Sequence, residues 1–462
     1  MTSRTWAMGR IVVENDLARA TVDARHYASL YRLAEAEPES CPSLLESSAG
    51  AAAQSRYDIL FADPIESITP AQLGSRAAFF DHLDHCVSAS RARATDIPFI
   101  GGWLVYFGYE MAAGVEPGLV LPPDTDGLPP ALAVRCRSAI IHDRQRATFD
   151  VVSEDRDVER VAYWLERLEA VRDVPPSDAV SPAVHWREDA PETYLHAVAR
   201  ARDYIAAGDV FQANLARSWR GTLTETTSPG AIYAALRAAN PAPFSALMQW
   251  QDAALICSSP ERLLAIRGDQ ASVRPIAGTR RRHFGQEERI SEELITHPKE
   301  RAEHVMLIDL VRNDLGRVCR PGSIEVDELM VVESYAHVHH IVSNVRGRLN
   351  AGVGPGAALK AVFPGGTITG CPKVRCMEII AELEGEGRGA YTGSIGYLSR
   401  CGTMDTNIII RSLTQAGRQL TLRAGAGIVA DSDPESELAE TRHKAYGVLR
   451  AFREVSVEAL DG

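Results

Sequence analysis

Toward its C-terminus the chain passes from an apolar strand through four small residues into an acidic helix. Residues 421–423 (TLR) read as the end of a strand, and residues 424–427 (AGAG) read as a glycine-rich loop. Small residues let the backbone approach a ligand and turn its N–H groups toward an anion. Asp433 is a typical N-cap and Pro434 a typical first helical residue, so the sequence predicts a helix that begins there. This order of elements indicates a binding site at the junction.

The predicted helix carries a stripe of charged side chains. Glu437, Glu440 and Lys444 are spaced so that they share one helix face. A second predicted helix offers Glu300 and Glu303 at the same ExxE spacing. Two such helices can hold Mg²⁺, which binds one or two carboxylates and keeps waters and substrate oxygens. The alternative is two unrelated acidic helix starts, each complementing its own helix dipole, and spacing alone leaves both open.

The composition is that of a large globular protein. The chain has 462 residues, 45% hydrophobic and 24% charged, which is enough for two lobes or one large complex domain. Its net charge of −12 argues against a nucleic-acid partner. No stretch is apolar enough to span a bilayer, and the eight cysteines include no C-x-x-C pair. We therefore expect a cytoplasmic protein with no membrane association, no disulfide framework and no zinc site.

The chain divides into an N-terminal region, a linker and a C-terminal region. Residues 1–173 alternate short apolar runs with polar turns, which predicts strands, and end on the helix DVERVAYWLERLEAVRD. Residues 174–192 are rich in Pro, Ser and Ala and predict a linker. Residues 193–456 begin with a helix (PETYLHAVARARDYIAAGD) and a strand (VFQANLARSW). In that strand Gln212 and Asn214 share one face, which is typical of an edge or a solvent-facing surface.

Four collinear segments resemble the signature blocks of the chorismate-utilising enzymes. They are KERAEHVMLIDLVRND, FPGGTITGCPK, YTGSIGYLSRCGTMDTNIIIRSL and AGAGIVADSDPESELAET, and the likeness extends from about Tyr194 to the C-terminus. The resemblance implies Mg²⁺-dependent chemistry on chorismate, a dicarboxylate with an enolpyruvyl ether. It also implies an α+β fold in which two large antiparallel sheets pack face to face with helices outside. The N-terminal and C-terminal regions would then interleave as one unit.

The resemblance assigns four positions to catalysis. Glu261 in SSPERLL corresponds to the general acid that protonates the departing 4-hydroxyl of chorismate, a role that burial favours by raising its pKa. Without that context, an ion pair with Arg262 or Arg280 on the surface is the simpler interpretation. Gln212 stands where water-using members carry a lysine base, so we expect ammonia as the nucleophile. Ala277 stands where many aminodeoxychorismate synthases carry a nucleophilic lysine, and with Thr279 it forms a PIAGT motif similar to that of anthranilate synthase.

Further positions match the family's ligand contacts. The expected substrate contacts are His340, Thr367, Tyr391, Arg411, Gly425, Ala426, Gly427 and Lys444, and the expected Mg²⁺ ligands are Glu300, Glu303, Glu437 and Glu440. Arg411 offers a bidentate fork for a carboxylate, and the amides of Gly425 and Gly427 offer N–H donors. Taken singly, a buried threonine, tyrosine or histidine usually serves packing.

The segment CPSLLESSAG resembles an element that forms a tryptophan pocket in this family. Leu45, Ser47, Pro243 and Phe244 would line the pocket. It mediates feedback inhibition in anthranilate synthase and holds a structural tryptophan in some aminodeoxychorismate synthases. The alternative is an ordinary short strand and turn.

Three functions stay open. Because no cysteine lies in a G-x-C-x-G elbow, glutamine hydrolysis would need another protein. The resemblance implies a small glutamine amidotransferase subunit that passes ammonia to this chain, and free ammonia could substitute for it. Aminodeoxychorismate synthase component I, which leads to 4-aminobenzoate and folate, is favoured by FPGGTITG, GYLSRCGTMDT and NPAPFSALMQW. Anthranilate synthase component I, which makes anthranilate and pyruvate, is favoured by Ala277 and LLES. A non-catalytic chorismate or tryptophan binder is disfavoured because Glu261, Arg411 and both ExxE pairs are present.

Overall fold

The computed structural model describes residues 10–24, 30–49, 56–90, 92–124, 126–171, 181–281, 289, 298–334 and 338–455. These ranges mix helices with mostly antiparallel strands, which confirms the expected α+β class. The helices are α1 (Tyr31–Ala36), α2 (Arg76–Ala89), α3 (Ala112–Val115), α4 (Val158–Ala170), α5 (Pro191–Ala206), α6 (Pro229–Ala239), α7 (Pro298–Gly316), α8 (Pro355–Val362), α9 (Lys373–Glu384) and α10 (Pro434–Leu449). Short 3-10 turns cover Pro70–Leu73, Tyr109–Met111 and Gly366–Ile368.

The strands fall along the whole chain. They are β1 (Val12–Glu14), β2 (Leu17–Asp23), β3 (Ser43–Glu46), β4 (Tyr57–Ile68), β5 (Gly102–Phe107), β6 (Ala131–Asp143), β7 (Thr148–Ser153), β8 (Ala183–Glu188), β9 (Gln212–Leu223), β10 (Phe244–Trp250), β11 (Ala253–Ser259), β12 (Arg262–Arg267), β13 (Gln270–Arg274), β14 (Ile276–Arg281), β15 (Glu325–Ser334), β16 (Val338–Arg348), β17 (Gly370–Cys371), β18 (Ser394–Ser399), β19 (Met404–Asn407), β20 (Ser412–Ala416), β21 (Gln419–Ile428) and β22 (Arg453–Glu454).

Proline and a polar cap mark where the two acidic helices begin. Pro434 is the first residue of α10, and Asp433 Oδ2 accepts the backbone N–H of Ser436 at 2.9 Å. Pro298 is likewise the first residue of α7. Both predicted starts are confirmed, and the helices predicted before the linker and after it are present as α4 and α5.

The strands form two sheet arms that meet at β6. One arm runs in the order β6-β4-β3-β10-β11-β20-β21-β9-β8. The other runs in the order β6-β5-β18-β19-β12-β13-β16, with β14 and β15 also paired to β16. β6 belongs to both arms because it pairs with β4 on one side, while its first half pairs with β5 on the other.

Apolar side chains fill the space between the arms and cover their outer faces. A cluster drawn mostly from strands of both arms includes Phe61, Leu104, Met248, Leu255 and Ile395. Helices α1, α4, α6 and α10 pack on the outside of the first arm, and α2, α7 and α8 pack on the outside of the second. The architecture is therefore two sheets packed face to face with helices outside.

The N-terminal and C-terminal regions contribute strands to both arms. β3 pairs with β10 in the first arm, and β5 pairs with β18 in the second. Residues 183–188, which lie within the predicted linker, form β8 and pair with β9. That part of the predicted linker is a strand of the first arm.

The small residues at 424–427 do not form the loop that the sequence predicts. They continue β21, where Gly425 lies opposite Ala216 and Gly427 lies opposite Asn214 of β9. The prediction of a loop was wrong because glycine in a strand marks a close approach of other groups, which sequence alone does not reveal.

In the described part of the chain, no helix is long and apolar enough to cross a membrane. All eight cysteines are free thiols.

Candidate active site

Glu261 follows the turn after β11 and lies inside the molecule, 5% exposed. Its backbone N–H donates to Ser259 Oγ at 3.2 Å, and the Thr367 hydroxyl donates to Glu261 Oε1 at 2.8 Å. Arg262, one of the ion-pair partners considered from the sequence, instead pairs with Asp405 at 2.8 Å, and the Arg280 side chain lies outside the described residues. Glu261 is therefore a buried carboxyl held by a hydroxyl, and the surface ion pair is excluded.

Burial raises the pKa of Glu261 to about 7. The hydrogen bond from Thr367 and the positive charges of Arg411 and Lys444 lower that pKa, but desolvation outweighs them. A carboxyl with this pKa is still partly protonated at neutral pH. It can therefore donate a proton to a leaving group, which an ordinary solvated glutamate cannot do efficiently.

Gln212 and Asn214 lie on one face of β9, and both are buried, 4% and 9% exposed. Gln212 Nε2 donates to Glu303 Oε1 at 3.3 Å, which joins β9 to α7. Gln212 Oε1 and Asn214 Oδ1 have no hydrogen-bond partner among the described residues. The prediction of a solvent-facing surface was wrong, because both side chains are buried and Glu303 of α7 reaches Gln212.

The glycines of β21 leave room for these amide side chains. A Cβ atom at Gly427 would lie 2.3 Å from Gln212 Nε2. A Cβ atom at Gly425 would lie 2.9 Å from Asn214 Oδ1 and 2.9 Å from the Tyr391 hydroxyl oxygen. Burial raises the pKa of Tyr391 to about 12, so its hydroxyl keeps its proton at neutral pH. Gly425 and Gly427 are therefore needed for packing at this site, whatever their amides bind.

Helix α10 is tied to the same stretch of β21. Lys444 Nζ donates to the carbonyl oxygen of Gly425 at 2.8 Å and pairs with Glu440 Oε1 at 2.7 Å. Ala426 lies between the glycines, so its side chain points to the other face of the strand, where it packs in an apolar cluster with Leu438. Gly425 and Gly427 therefore face Asn214 and Gln212, while the Ala426 side chain points to the opposite face, toward α10, the helix that carries Lys444.

Strands β14 and β16 bring three further predicted residues together. Thr279 lies opposite His340 in the ladder, although the Thr279 side chain lies outside the described residues. Burial lowers the pKa of His340 to about 3, and the nearby charge of Arg411 acts in the same direction, so the imidazole is neutral. Ala277 is 6% exposed and adds only a methyl group. The positive charge of Arg411 lowers the pKa of both Glu261 and His340, so these three side chains lie near one another.

The predicted metal ligands lie on two helices. Glu300 and Glu303 belong to α7, and Glu437 and Glu440 belong to α10. Glu437 Oε1 accepts the Ser432 hydroxyl at 2.6 Å. Over the described ranges, no group of three or more His, Cys, Asp or Glu side chains is arranged to hold a metal ion. The oxygen donors nevertheless suit Mg²⁺, and the unpartnered Gln212 amide oxygen belongs to the side chain that contacts Glu303.

Sequence reasoning missed Arg388, a buried arginine that contacts four segments. It forms a bidentate pair with Glu384 at 2.6 and 2.9 Å and donates to the carbonyls of Asn214 at 2.7 Å and Ile368 at 3.1 Å. Its guanidinium carbon lies 5.7 Å from the centre of the Tyr391 ring. The available signal was the spacing of four residues between the glutamate and the arginine in ELEGEGR.

A second site is a cavity of about 470 Å³ lined by Leu45, Pro243 and Phe244. Ser47, the fourth residue predicted for the tryptophan pocket, does not line it. Instead Ser47 is buried, and its backbone N–H donates to Asp58 Oδ1 at 2.8 Å. The structure thus brings three of the four predicted residues to one cavity.

The sequence and the fold were then compared with known proteins. The model of the chorismate binding enzyme family matches residues 42–450. Aminodeoxychorismate synthase component 1 of Bacillus subtilis is 40% identical over 436 residues, covering 88% of this chain and 91% of the relative. Anthranilate synthase component 1 of Thermus thermophilus is 42% identical over 373 residues, covering 79% of this chain and 80% of the relative.

The fold is also similar to a solved structure from the same group. The crystal structure of anthranilate synthase component I from Streptococcus pneumoniae TIGR4 superposes with a TM-score of 0.75 at 31% identity, covering 85% of this chain and 92% of that one. The family match spans most of the chain, and curated relatives align over nearly their whole length. The chain therefore belongs to the chorismate-binding enzyme family.

Proposed function

We propose that this chain aminates chorismate, with Glu261 as the general acid. The observation that carries the proposal is a buried carboxyl with a pKa of about 7, bonded to Thr367 and close to the charges of Arg411 and Lys444. Such a group is suited to protonate a poor leaving group such as a hydroxyl.

In the proposed reaction, the lone pair of ammonia forms a C–N bond to the ring as the bond from C4 to its hydroxyl oxygen breaks. Glu261 transfers its proton to that oxygen, which leaves as water. The new ammonium group then releases a proton, and the protonated form of Glu261 is restored. One ammonia is consumed and one water is formed, and no oxidant or reductant is needed.

Ammonia is favoured over water because no strong base stands at position 212, where water-using members carry a lysine. Gln212 cannot deprotonate water. A neutral His340, with a pKa near 3, is also a weak base. The described residues therefore suit a nucleophile that attacks without prior deprotonation.

We propose Mg²⁺ as the cofactor, with Glu300, Glu303, Glu437 and Glu440 as the carboxylates that hold it. Bound there, Mg²⁺ would neutralise and orient a carboxylate of the substrate. The positions of α7 and α10 support this role. Glu303 contacts Gln212 of β9. Glu440 pairs with Lys444, which contacts Gly425 of β21, so each helix has one carboxylate linked to this pair of strands.

The product that we propose is 4-amino-4-deoxychorismate, for 4-aminobenzoate and folate synthesis. The match to the Bacillus relative over 91% of its length supports this choice. Ala277 favours a second candidate, anthranilate synthase, because a methyl group cannot form a covalent intermediate that would direct ammonia to C4. In that case ammonia adds at C2, and pyruvate is lost.

We also propose two binding partners. A glutamine amidotransferase subunit would supply ammonia, and the 470 Å³ cavity beside Leu45 and Phe244 would bind tryptophan. The cavity volume lies within the usual range for small-molecule sites. Leu45, Pro243 and Phe244 offer apolar surface for an indole ring, and charged side chains such as Arg274 and Glu328 line other parts of the cavity.

A product assay tests the proposed function. Purified protein is incubated with chorismate, Mg²⁺ and ammonium chloride, and half of the samples receive an aminodeoxychorismate lyase. We expect 4-aminobenzoate only with the lyase. Anthranilate without the lyase would establish the second candidate, and isochorismate in either sample would refute amination.

A further inference from the structure

A short stretch of one edge of β9 is covered by two side chains instead of a strand. β17 and β8 pair with β9 on either side of residues 214–218, and no described strand bonds this edge between them. Glu384, the last residue of α9, accepts the backbone N–H of Ala216 at 2.8 Å. Arg388 donates to the backbone carbonyl oxygen of Asn214 at 2.7 Å. A buried ion pair thus satisfies backbone groups that a strand would otherwise bond.

The same guanidinium reaches the two segments that carry Thr367 and Tyr391. Arg388 Nη1 donates to the carbonyl oxygen of Ile368, the residue directly after Thr367, at 3.1 Å. It also donates to Oγ1 of Thr392, the residue directly after Tyr391, at 3.3 Å. The Arg388 side chain is 1% exposed, so solvent cannot replace these bonds. One buried side chain therefore bonds to the neighbour of each predicted substrate contact.

The backbone of Thr392 is strained. Its φ of +63° lies in the left-handed region, which a β-branched residue rarely adopts. Such a conformation persists only where surrounding groups fix it, and it is commonest at functional sites. Its backbone N–H donates to the carbonyl oxygen of Ile409 at 2.7 Å, and its hydroxyl oxygen accepts a hydrogen bond from Arg388. These bonds hold the conformation that places the Tyr391 hydroxyl beside Gly425.

Thr367 connects Arg388 to Glu261. The Thr367 hydroxyl donates to Glu261 Oε1 at 2.8 Å, and Thr367 lies in the short turn Gly366–Ile368, whose last carbonyl accepts from Arg388. A shift of about 1 Å in this turn would weaken the bond to Glu261, and misplacement on that scale can cost about a hundredfold in rate. Glu384 holds the guanidinium by two bonds of 2.6 and 2.9 Å, so α9 sets its orientation.

We infer that Arg388, held by Glu384, is a positioning residue that sets Thr367 and Tyr391 in place around the substrate. The inference rests on the proposed function, in which Thr367 bonds to the general acid Glu261. Arg388 acts through these two residues and makes no contact with the reacting atoms. The alternative is a purely structural ion pair, which would affect stability without changing the chemistry of Glu261.

The test compares Arg388→Lys with the parent chain. Lysine keeps a positive charge opposite Glu384, but its compact ammonium lacks the fixed fork that reaches Ile368, Thr392 and the backbone of β9 together. We expect kcat/KM for chorismate to fall by about tenfold to a hundredfold. The dissociation constant for chorismate, measured by titration calorimetry, should rise by at least about threefold.

The pH profile distinguishes positioning from a loss of stability. The hydrogen bond from Thr367 lowers the pKa of Glu261, as do the charges of Arg411 and Lys444. A displaced Thr367 weakens the first of these effects, so the alkaline limb of the kcat/KM profile should move to higher pH in Arg388→Lys. Thr367→Val, which removes the hydroxyl itself, should move that limb in the same direction.

Arg135→Lys is the matched control. Arg135 also forms a bidentate pair, with Glu154 at 2.6 Å in both bonds, and donates to the carbonyl oxygens of Gly102 and Cys136. It belongs to β6, and these partners lie in the N-terminal region, so its loss should lower stability and leave kcat/KM and the pH profile unchanged. Thermal unfolding curves verify that each variant is folded. If Arg388→Lys does not fold, Glu384→Gln, which keeps an acceptor for the β9 backbone and removes one bond of the fork, should show the same defects.

The outcomes separate this inference from the proposed function. If the parent chain aminates chorismate and folded Arg388→Lys keeps its kcat/KM and pH profile, positioning is refuted and the function stands. Equal losses of kcat/KM in Arg388→Lys and Arg135→Lys would also refute positioning. If the parent chain forms no aminated product, the proposed function fails and chorismate binding decides. An unchanged dissociation constant in Arg388→Lys then refutes positioning, and a raised one upholds it.

Discussion

At the scale of single residues, the site depends on which polar groups are buried and on what they contact. Glu261 owes its pKa of about 7 to desolvation, which outweighs one hydroxyl and two nearby cations. Gln212 and Asn214 are buried next to Gly425 and Gly427, and their side-chain oxygens accept no hydrogen bond from the described residues. Each property arises from neighbours distant in sequence.

Glu261→Gln should lower kcat by at least about a hundredfold, because glutamine keeps the shape and the bond to Thr367 but cannot donate a proton to a leaving group. In the parent chain, kcat/KM at constant free ammonia should fall by about tenfold per pH unit above pH 7, where Glu261 loses its proton. Measuring kcat of the variant and the pH dependence of kcat/KM of the parent chain in the same buffers checks the assignment of Glu261 as the general acid. Turnover that is unchanged in the variant would rule out Glu261 as the acid.

The same substitution should stabilise the protein at alkaline pH. The folded-state pKa of Glu261 is raised from 4.5 to about 7, so the folded chain binds the proton more tightly than the unfolded chain. Stability is therefore lost as the pH rises through this window, by about 3 kcal/mol in total. Urea unfolding at pH 8.5 should show Glu261→Gln to be more stable than the parent chain, with little difference near pH 4.5. Equal stability at both pH values would mean that the carboxyl is not desolvated.

The sequence predicted these residues unevenly. Glu261, Thr367 and Tyr391 were found through resemblance, because nothing local distinguishes a buried glutamate from an exposed one. Alternation along β9 placed Gln212 and Asn214 on one face, but it could not reveal that this face is buried or that Glu303 of α7 reaches it. Burial of a strand face is set by elements far away in the chain.

At the scale of elements, helices α7 and α10 position the carboxylates against β9 and β21. Their starts were predictable, since Pro298, Asp433 and Pro434 act within one helical turn. The strand at 424–427 was not, because its extended conformation depends on pairing with β9. Local sequence therefore predicts helix ends well and glycine-rich strands poorly.

Removing one carboxylate from either helix should abolish Mg²⁺-dependent turnover. We expect this for Glu303→Gln and Glu440→Gln, since Mg²⁺ sites contain few protein ligands and each contributes strongly. Glu435→Gln changes an exposed position in the first turn of α10. It is the control, and its activity should still respond to added Mg²⁺ as in the parent chain. Activity is titrated with Mg²⁺ after EDTA treatment, and full response in both site variants would refute the ligand assignment.

Helix α7 is anchored to β16 by a buried hydrogen bond. His304 Nε2 lies 2.7 Å from Ser343 Oγ, which also accepts the backbone N–H of Met330 at 2.8 Å. Ser343→Ala should lower the free energy of unfolding by about 1–3 kcal/mol, because buried polar atoms lose their partner. Ser88→Ala, which removes an exposed hydroxyl of α2, should lower it by less than about 0.5 kcal/mol. If urea titrations gave the same change in the free energy of unfolding for Ser343→Ala and for the control variant, the hydrogen bond between α7 and β16 would contribute no more than an exposed one.

At the scale of the whole molecule, the two arms bind the N-terminal and C-terminal regions into one sheet system. β3 pairs with β10, β5 with β18, and β8 with β9. The α+β class and the paired sheets were expected from resemblance. The pairings were not predictable from local patterns, since the apolar pattern of a strand does not indicate which other strand it pairs with.

The full chain should therefore unfold in a single cooperative transition. Far-ultraviolet circular dichroism and tryptophan fluorescence should give coincident urea curves, because no cut between the regions leaves both arms complete. A fragment of residues 193–456 lacks β3, β5 and β8, which pair with β10, β18 and β9, and should show no cooperative transition. A folded fragment, or two separated transitions in the full chain, would contradict this.

The pairing of β5 with β18 also affects how the protein is made. Paired residues are roughly 290 positions apart, so at about 5–20 residues per second β5 waits on the order of 15–60 seconds after its synthesis before its neighbour emerges from the ribosome. During that interval a strand whose six residues are all buried in the finished molecule has an open edge. Nascent chains of this protein should accordingly depend on chaperones far more than the stability of the finished enzyme would suggest.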